Sequence, residues 1–317
     1  NIRFGPGICV LPLHHPIQLI EEYCMLDHLS GGRLEIGVGR GGVFEAFFWG
    51  QDSDVEANYA RYRETLAAVQ NGLSNDVLTH QGEFYNFDQL PMRLRPMQDP
   101  MPPFWYMRNV ETAAKDGMNT IIVGGLDSFE SNVTRYHREW EKYHGAGSLT
   151  AQGTEPKIGL VVHLLLANTD EEAIEQAQPA WEHYRWNLGT PRRLEAERRG
   201  LTQFMGEGMN PRPASIPARE LPHEDRRDLD ATMDDEERLE RQRRRLNLRG
   251  RIADDGGGAG FGSVAGSPET IRKYMDEYVA TGANYFVGAF QWGDLSHEQA
   301  MRSIDLFTSE VMPHYIG

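Results

Sequence analysis

The stretch GGRLEIGVGRGG, Gly31 to Gly42, is a short apolar strand running into glycines around one arginine. A strand interior loses stability with each glycine, which adds chain entropy and packs nothing. Glycines kept there answer a need for space, and the arginine points to a negative charge. Side chains alternate along a strand, so Gly37 and Gly39 share one face while Leu34, Ile36 and Val38 take the other. Arg40 then stands at the strand's C-terminal end. Two glycines on one face leave room for a flat ring, and a guanidinium grips a phosphate through two parallel hydrogen bonds. The alternative is a tight exit turn with a solvated arginine.

Outward from this stretch, strand and helix signals alternate. Residues 2–12 read as a strand, and Pro16 to Ser30 as a helix stopped by Gly31-Gly32. Residues 33–38 form the next strand, Asn58 to Gln70 a helix, and 76–87 a hairpin turning at Gln81-Gly82. A strand at 102–107, a helix from Val110 to Asp116, a strand at 119–124 and a helix from Ser128 to Tyr143 follow. KIGLVVHLLLA (157–167) is a long buried strand, and the acidic turn at Thr169 to Glu172 opens a helix running to about Leu188. From Thr190 to about Gly262 apolar periodicity is lost; 234–249 reads as a charged helix and 254–262 as a flexible hinge. Order returns with a helix at 267–282 capped by Ser267, a strand at 284–290 and a helix at 296–312.

About six strands separated by helices predict a parallel sheet covered by helices, either doubly wound or closed into a (β/α) barrel. A barrel of eight units in roughly 250 residues uses about 30 per unit. Six visible units then predict that about two precede Asn1.

The chain has 317 residues and a formal net charge of −15. That charge argues against general nucleic-acid binding and suits a cytoplasmic enzyme. No apolar run of about 18 residues predicts a membrane span. Cys9 and Cys24 sit in apolar contexts and read as small buried hydrophobes. The 11 histidines form no HExxH pattern and no His/Cys cluster, so no metal is expected.

Three segments carry a resemblance: GPGICVLPLHHP (5–16), LDHLSGGRLEIGVGRG (26–41) and MRSIDLFTSEVMP (301–313). In order and in context they resemble the bacterial-luciferase-like flavin-dependent monooxygenases, over most of residues 1–188 and 262–317. The resemblance implies a TIM (β/α)8 barrel, one domain over 1–317, with about the first two βα units absent and the first visible strand the third. It implies reduced FMN at the C-terminal mouth, supplied by a separate flavin reductase. Oxygen then adds to give a flavin hydroperoxide, which oxidises a small organic substrate. The alternatives are deazaflavin-dependent hydride transfer on the same barrel and a non-catalytic flavin binder. A homodimer is implied as well. A phosphate-binding aldolase or isomerase barrel wants a lysine at a strand C-terminus, which neither Lys115 nor Lys157 provides.

The same resemblance implies roles residue by residue. Arg40 matches an arginine that contacts the flavin phosphate, with Gly39 beside it. Gly7-Ile8 matches a non-proline cis peptide under the flavin ring. His15 matches a histidine at the mouth that donates a hydrogen bond or shuttles a proton; otherwise it is a helix-start residue before Pro16. In FWYMRNVET (104–112), amides at a helix start offer an anion site assisted by Arg108, Asn109 and Thr112. Relatives carry small residues at this turn, so Arg108 is a departure that adds a phosphate contact or crowds the site. Arg61 and Arg63 are weaker candidates. Trp105, Tyr106, Phe290 and Trp292 line a substrate pocket or pack the core. Residues 190–262 match the position of a mobile lid, or are a surface insertion.

Overall fold

Chemistry at both ends sets the first helix, Pro16–Ser30 (α1). Pro16 sits in the first turn, where a missing N–H costs nothing, and the His15 ring caps it by accepting from the Ile17 amide. Gly31 closes it in the left-handed region at φ 68°. In the computed structural model the described residues are 2–51, 54–107, 109–200 and 262–316. They fall into two units, Asn1–Ile122 with Asn132–Ile158, and Val123–Ser131 with Gly159–Gly317.

The first unit holds Cys9–Val10 (β1), Ile36–Gly39 (β2), Val77–Gln81 (β3), Asn86–Pro91 (β4), Phe104–Met107 (β5) and Asn119–Ile122 (β6). Its further helices are Val43–Phe48 (α2), Val55–Ser74 (α3) and Val110–Lys115 (α4). Parallel pairing runs β1-β2-β5-β6, with Cys9, Val38, Tyr106 and Thr120 in one row. Leu34, Ile36, Val38 and Phe104 form a buried core with Leu19 and Ile20 of α1 and Tyr62, Leu66 and Val69 of α3. The face expected to be apolar is the one that packs, and each such side chain contributes about 1.5–3 kcal/mol. Buried Asp27 binds the approach to β5 onto α1, accepting from the Met97 and Gln98 amides at 2.8 and 2.9 Å.

Several expectations change in detail. The strand expected over 2–12 is a bridge at Phe4, then β1, then a 3₁₀ turn at Leu11–Leu13. Pro6, between them, has no N–H to give to a ladder. Helix α3 starts earlier than expected because Asp54 caps it, accepting from the Ala57 amide at 2.8 Å. The short α2 is an addition to the expected elements.

The second unit contains Ile158–Leu166 (β7) from Gly159 on, Gly262–Gly266 (β8) and Tyr285–Ala289 (β9). β7 is long enough to pair in parallel with β8 along Val162–Leu166 and with β9 along Gly159–His163. A strictly sequential order would have put β8 between the other two. Leu126–His144 (α5) divides between the units, and Asp170–Arg198 (α6), Pro268–Ala280 (α7) and His297–Leu306 (α8) belong to the second. Helix α6 runs on to Arg198, past the expected end near Leu188. Asp170 joins two helix starts, accepting from the Ser267 amide at 2.7 Å and the Thr270 hydroxyl at 2.8 Å. The remainder of the expected lid, 201–261, with its charged helix and most of its hinge, lies outside the described residues.

Among the described residues, no helix is long and apolar enough to cross a membrane, and no cluster of His, Cys, Asp and Glu could hold a metal. Cys9 and Cys24 are free thiols, half-buried and buried.

Candidate functional site

The glycines of β2 make room, but for the chain itself. A side chain on Gly37 would collide with the Pro6 carbonyl, and one on Gly39 with the tip of Ile8. The Pro6–Ile8 segment therefore occupies the space assigned above to a flat ring. Open space lies one step further out, where a β-carbon on Gly7 would meet nothing within 4 Å. The Gly7-Ile8 peptide is cis, the geometry that the resemblance implied.

Arg40 follows immediately after β2 and is half-buried. Its Nη1 is covered and has no hydrogen-bond partner among the described residues. A buried N–H left unpaired costs about 1–3 kcal/mol, more for a charged group, and an anion would remove that cost. The turn beyond is fixed by Gly41 at φ 70° and by the Gly42 amide, which donates to Glu45 Oε2 at 2.6 Å. Tyr106 feels the Arg40 charge: burial, helped by Tyr59, pushes its phenol up, and Arg40 pulls it back down.

Asn109 stands two residues past β5, the strand paired with β2, so it and Arg40 leave from the same end of neighbouring strands. It caps α4 by accepting from the Thr112 amide at 2.9 Å. One amide of the expected anion site is thus already engaged, while Thr112 itself is half-buried. Arg108 lies outside the described residues.

His15 is exposed, and its side-chain hydrogen bond and ring contacts are with Ile17, Tyr85 and Phe87. The Ile17 amide donates to its Nδ1 at 3.3 Å, and the ring meets Tyr85 and Phe87 edge-on at 5.4 and 5.9 Å. Both aromatics lie on the β3–β4 hairpin, whose turn at 82–85 is held by Glu64 of α3. Its carboxylate accepts from the Glu83, Phe84 and Tyr85 amides at 2.9, 3.0 and 2.7 Å. Partial burial pushes this carboxyl up, but those amides and His80 outweigh it and hold it below the usual range. Sequence reasoning missed Glu64. The available signal was a hairpin turn, GEFY at 82–85, without the Asn-Gly or Pro that would shape it from within.

The remaining candidates have other partners. Trp105 is buried and donates to Glu35 Oε2 at 2.5 Å. Tyr106 packs its ring on Tyr62 at 5.7 Å. Trp292 is buried against Trp181 and His163 at 5.9 and 5.8 Å, and half-buried Phe290 packs on Phe307 at 5.5 Å. For these two, the packing alternative is the one that the contacts support. Arg61 lies over the Phe84 ring at 4.2 Å, and Arg63 faces Asp116 at 3.7 Å.

A family profile described as luciferase-like monooxygenase matches residues 1–285. The oxygenase component of a flavin-dependent trigonelline monooxygenase from Acinetobacter baylyi is 30% identical over 181 residues, which are 55% of this chain and 48% of that protein. The chain spans about half the length of the curated relatives it matches. The crystal structure of monooxygenase RslO1 from Streptomyces bottropensis matches with a TM-score of 0.67 and 19% identity, over 100% of this chain and 79% of that one. The oxygenating constituent of 3,6-diketocamphane monooxygenase from Pseudomonas putida, in complex with FMN, matches with a TM-score of 0.63 and 16% identity, over 100% and 80%. At such identities the structures establish the fold alone: α/β, of the luciferase-like TIM-barrel type.

Proposed function

The chain belongs to the luciferase-like monooxygenase family, and from that premise we infer that it is the oxygenase part of a flavin-dependent monooxygenase. In this reading a single barrel domain over 1–317 takes reduced FMN from a separate flavin reductase and acts with molecular oxygen on a small organic substrate. Arg40 pairs with the flavin phosphate, and Arg108, Asn109 and Thr112 flank it at the turn after β5. Gly7, Ile8 and Gly39 lie under the ring, and His15 gives a hydrogen bond or moves a proton at the mouth. Reduced FMN, when bound, supplies the electrons that activate oxygen toward the substrate.

One observation carries this reading: the covered, unpartnered Arg40 Nη1 at the end of a parallel strand. A half-buried guanidinium whose Nη1 has no hydrogen-bond partner among the described residues fits an anionic ligand. The open space at Gly7 supports the placement of the ring. Two similar proteins support the cofactor, since one is named flavin-dependent and the other holds FMN. A cytoplasmic homodimer goes with the proposal, and Met25 and Leu29, 48% and 84% exposed on α1, offer apolar surface for it.

An anaerobic titration of the complete natural protein with reduced FMN, and separately with a reduced deazaflavin, tests the reading. Tighter binding of FMN is expected. Preference for the deazaflavin would replace oxygen insertion with hydride transfer, and binding of neither would remove the cofactor assignment.

A further inference from the structure

We propose that Glu64 is a positioning residue for His15, acting through the β3–β4 hairpin. The proposal rests on the reading of His15 as a flavin-site group, and the relay itself lies within the first unit.

The relay begins on α3. Three consecutive amides, of Glu83, Phe84 and Tyr85, converge on one carboxylate, and His80 Nε2 approaches it at 3.3 Å. The Glu64 and His80 side chains are only 11% and 16% exposed, so water competes little for these bonds. Arg61, one turn earlier on α3, covers the Phe84 ring at 4.2 Å and adds a second hold on the same turn. The shape of the turn is thus imposed from the helix.

The hairpin then carries that constraint to the imidazole. Tyr85 and Phe87 stand nearly parallel, 8° apart, with ring centroids 6.4 Å from each other. Both meet His15 at close to right angles, 86° and 81°. The Tyr85 hydroxyl also donates to the His14 carbonyl at 3.4 Å. Among the described residues the His15 ring is given one hydrogen bond, the 3.3 Å cap from the Ile17 amide, which fixes one ring nitrogen but leaves the swing of an exposed ring to its neighbours. Those neighbours are the two hairpin aromatics.

Nuclear magnetic resonance of histidine-labelled, flavin-free protein tests this. The ring currents of Tyr85 and Phe87 should displace the His15 ring protons from their free positions. In Glu64→Ala the displacement is expected to be lost, while His144, bonded to the Ala114 carbonyl at 2.7 Å, keeps its signals. Tyr85→Leu should reproduce the His15 change. If Glu64→Ala does not fold, Glu64→Gln decides: it keeps the chain length but loses the charge and one acceptor oxygen, and must still move the His15 signals. Unmoved His15 signals in a folded Glu64 variant overturn the proposal. His15→Ala separates the two readings: unchanged turnover would end the catalytic role of His15 and leave the relay standing.

Discussion

The Pro6 carbonyl accepts from the Gly37 amide at 3.1 Å and also fills the space that a Gly37 side chain would need. Main-chain pairing and the glycine are therefore one requirement. Gly37→Ala has to push backbone aside and is expected to destabilise by about 1–3 kcal/mol. Gly39→Ala meets only the terminal methyl of Ile8, which can turn away, so it costs less. Urea unfolding of both variants checks the order; equal losses would contradict it.

Glu64 makes stability depend on pH. Its folded-state carboxyl is held below the ordinary value, so it stabilises the fold above the unfolded value of about 4.3. That contribution fades as pH falls through the lower, folded value. Hydrogen bonds to a charged acceptor are worth about 1.5–3 kcal/mol, which sets the expected loss. Unfolding free energies measured from neutral to acid pH should fall in the wild type, and Glu64→Gln should flatten part of that fall. An unchanged pH profile in the variant would count against the carboxylate as the hold on the hairpin.

Tyr62 is fully buried, and its hydroxyl has no hydrogen-bond partner among the described residues. Burial accordingly pushes its phenol far up. Removing an orphaned buried hydroxyl is nearly neutral or stabilising, by up to about 1–2 kcal/mol. Tyr62→Phe keeps the ring packed between Tyr106 and Tyr59 at 5.7 and 6.2 Å and should raise or preserve the thermal midpoint. A clear fall would reveal a partner for that hydroxyl.

Local chemistry explains which elements were legible in the sequence. Helix α1 was readable to the residue because Pro16 and Gly31 mark its ends with backbone chemistry. The apolar face of Leu34, Ile36 and Val38 was readable because period-two alternation survives in only one register. Strand β8, GSVAG, was not, because small residues beside a glycine tract carry no alternation. At the site, Arg40 announced itself as a charge at a strand end, but the occupant of the Gly37 and Gly39 clefts did not. The occupants are the Pro6 carbonyl and the tip of the Ile8 side chain, and a single strand's sequence holds no record of what its partner presses against it. Glu64 was silent for the same reason, since all its partners but His80 are amides, which every residue but proline has.

The most direct measurement compares reduced FMN with reduced riboflavin, which lacks the phosphate, on the wild type and Arg40→Ala. The Arg40–phosphate pair, worth about 1.5–3 kcal/mol, should make FMN bind roughly 10–100-fold more weakly to the variant. Riboflavin affinity should not change. FMN affinity unaffected by Arg40→Ala, or both ligands weakened alike, would contradict the assignment of Arg40 to the flavin phosphate.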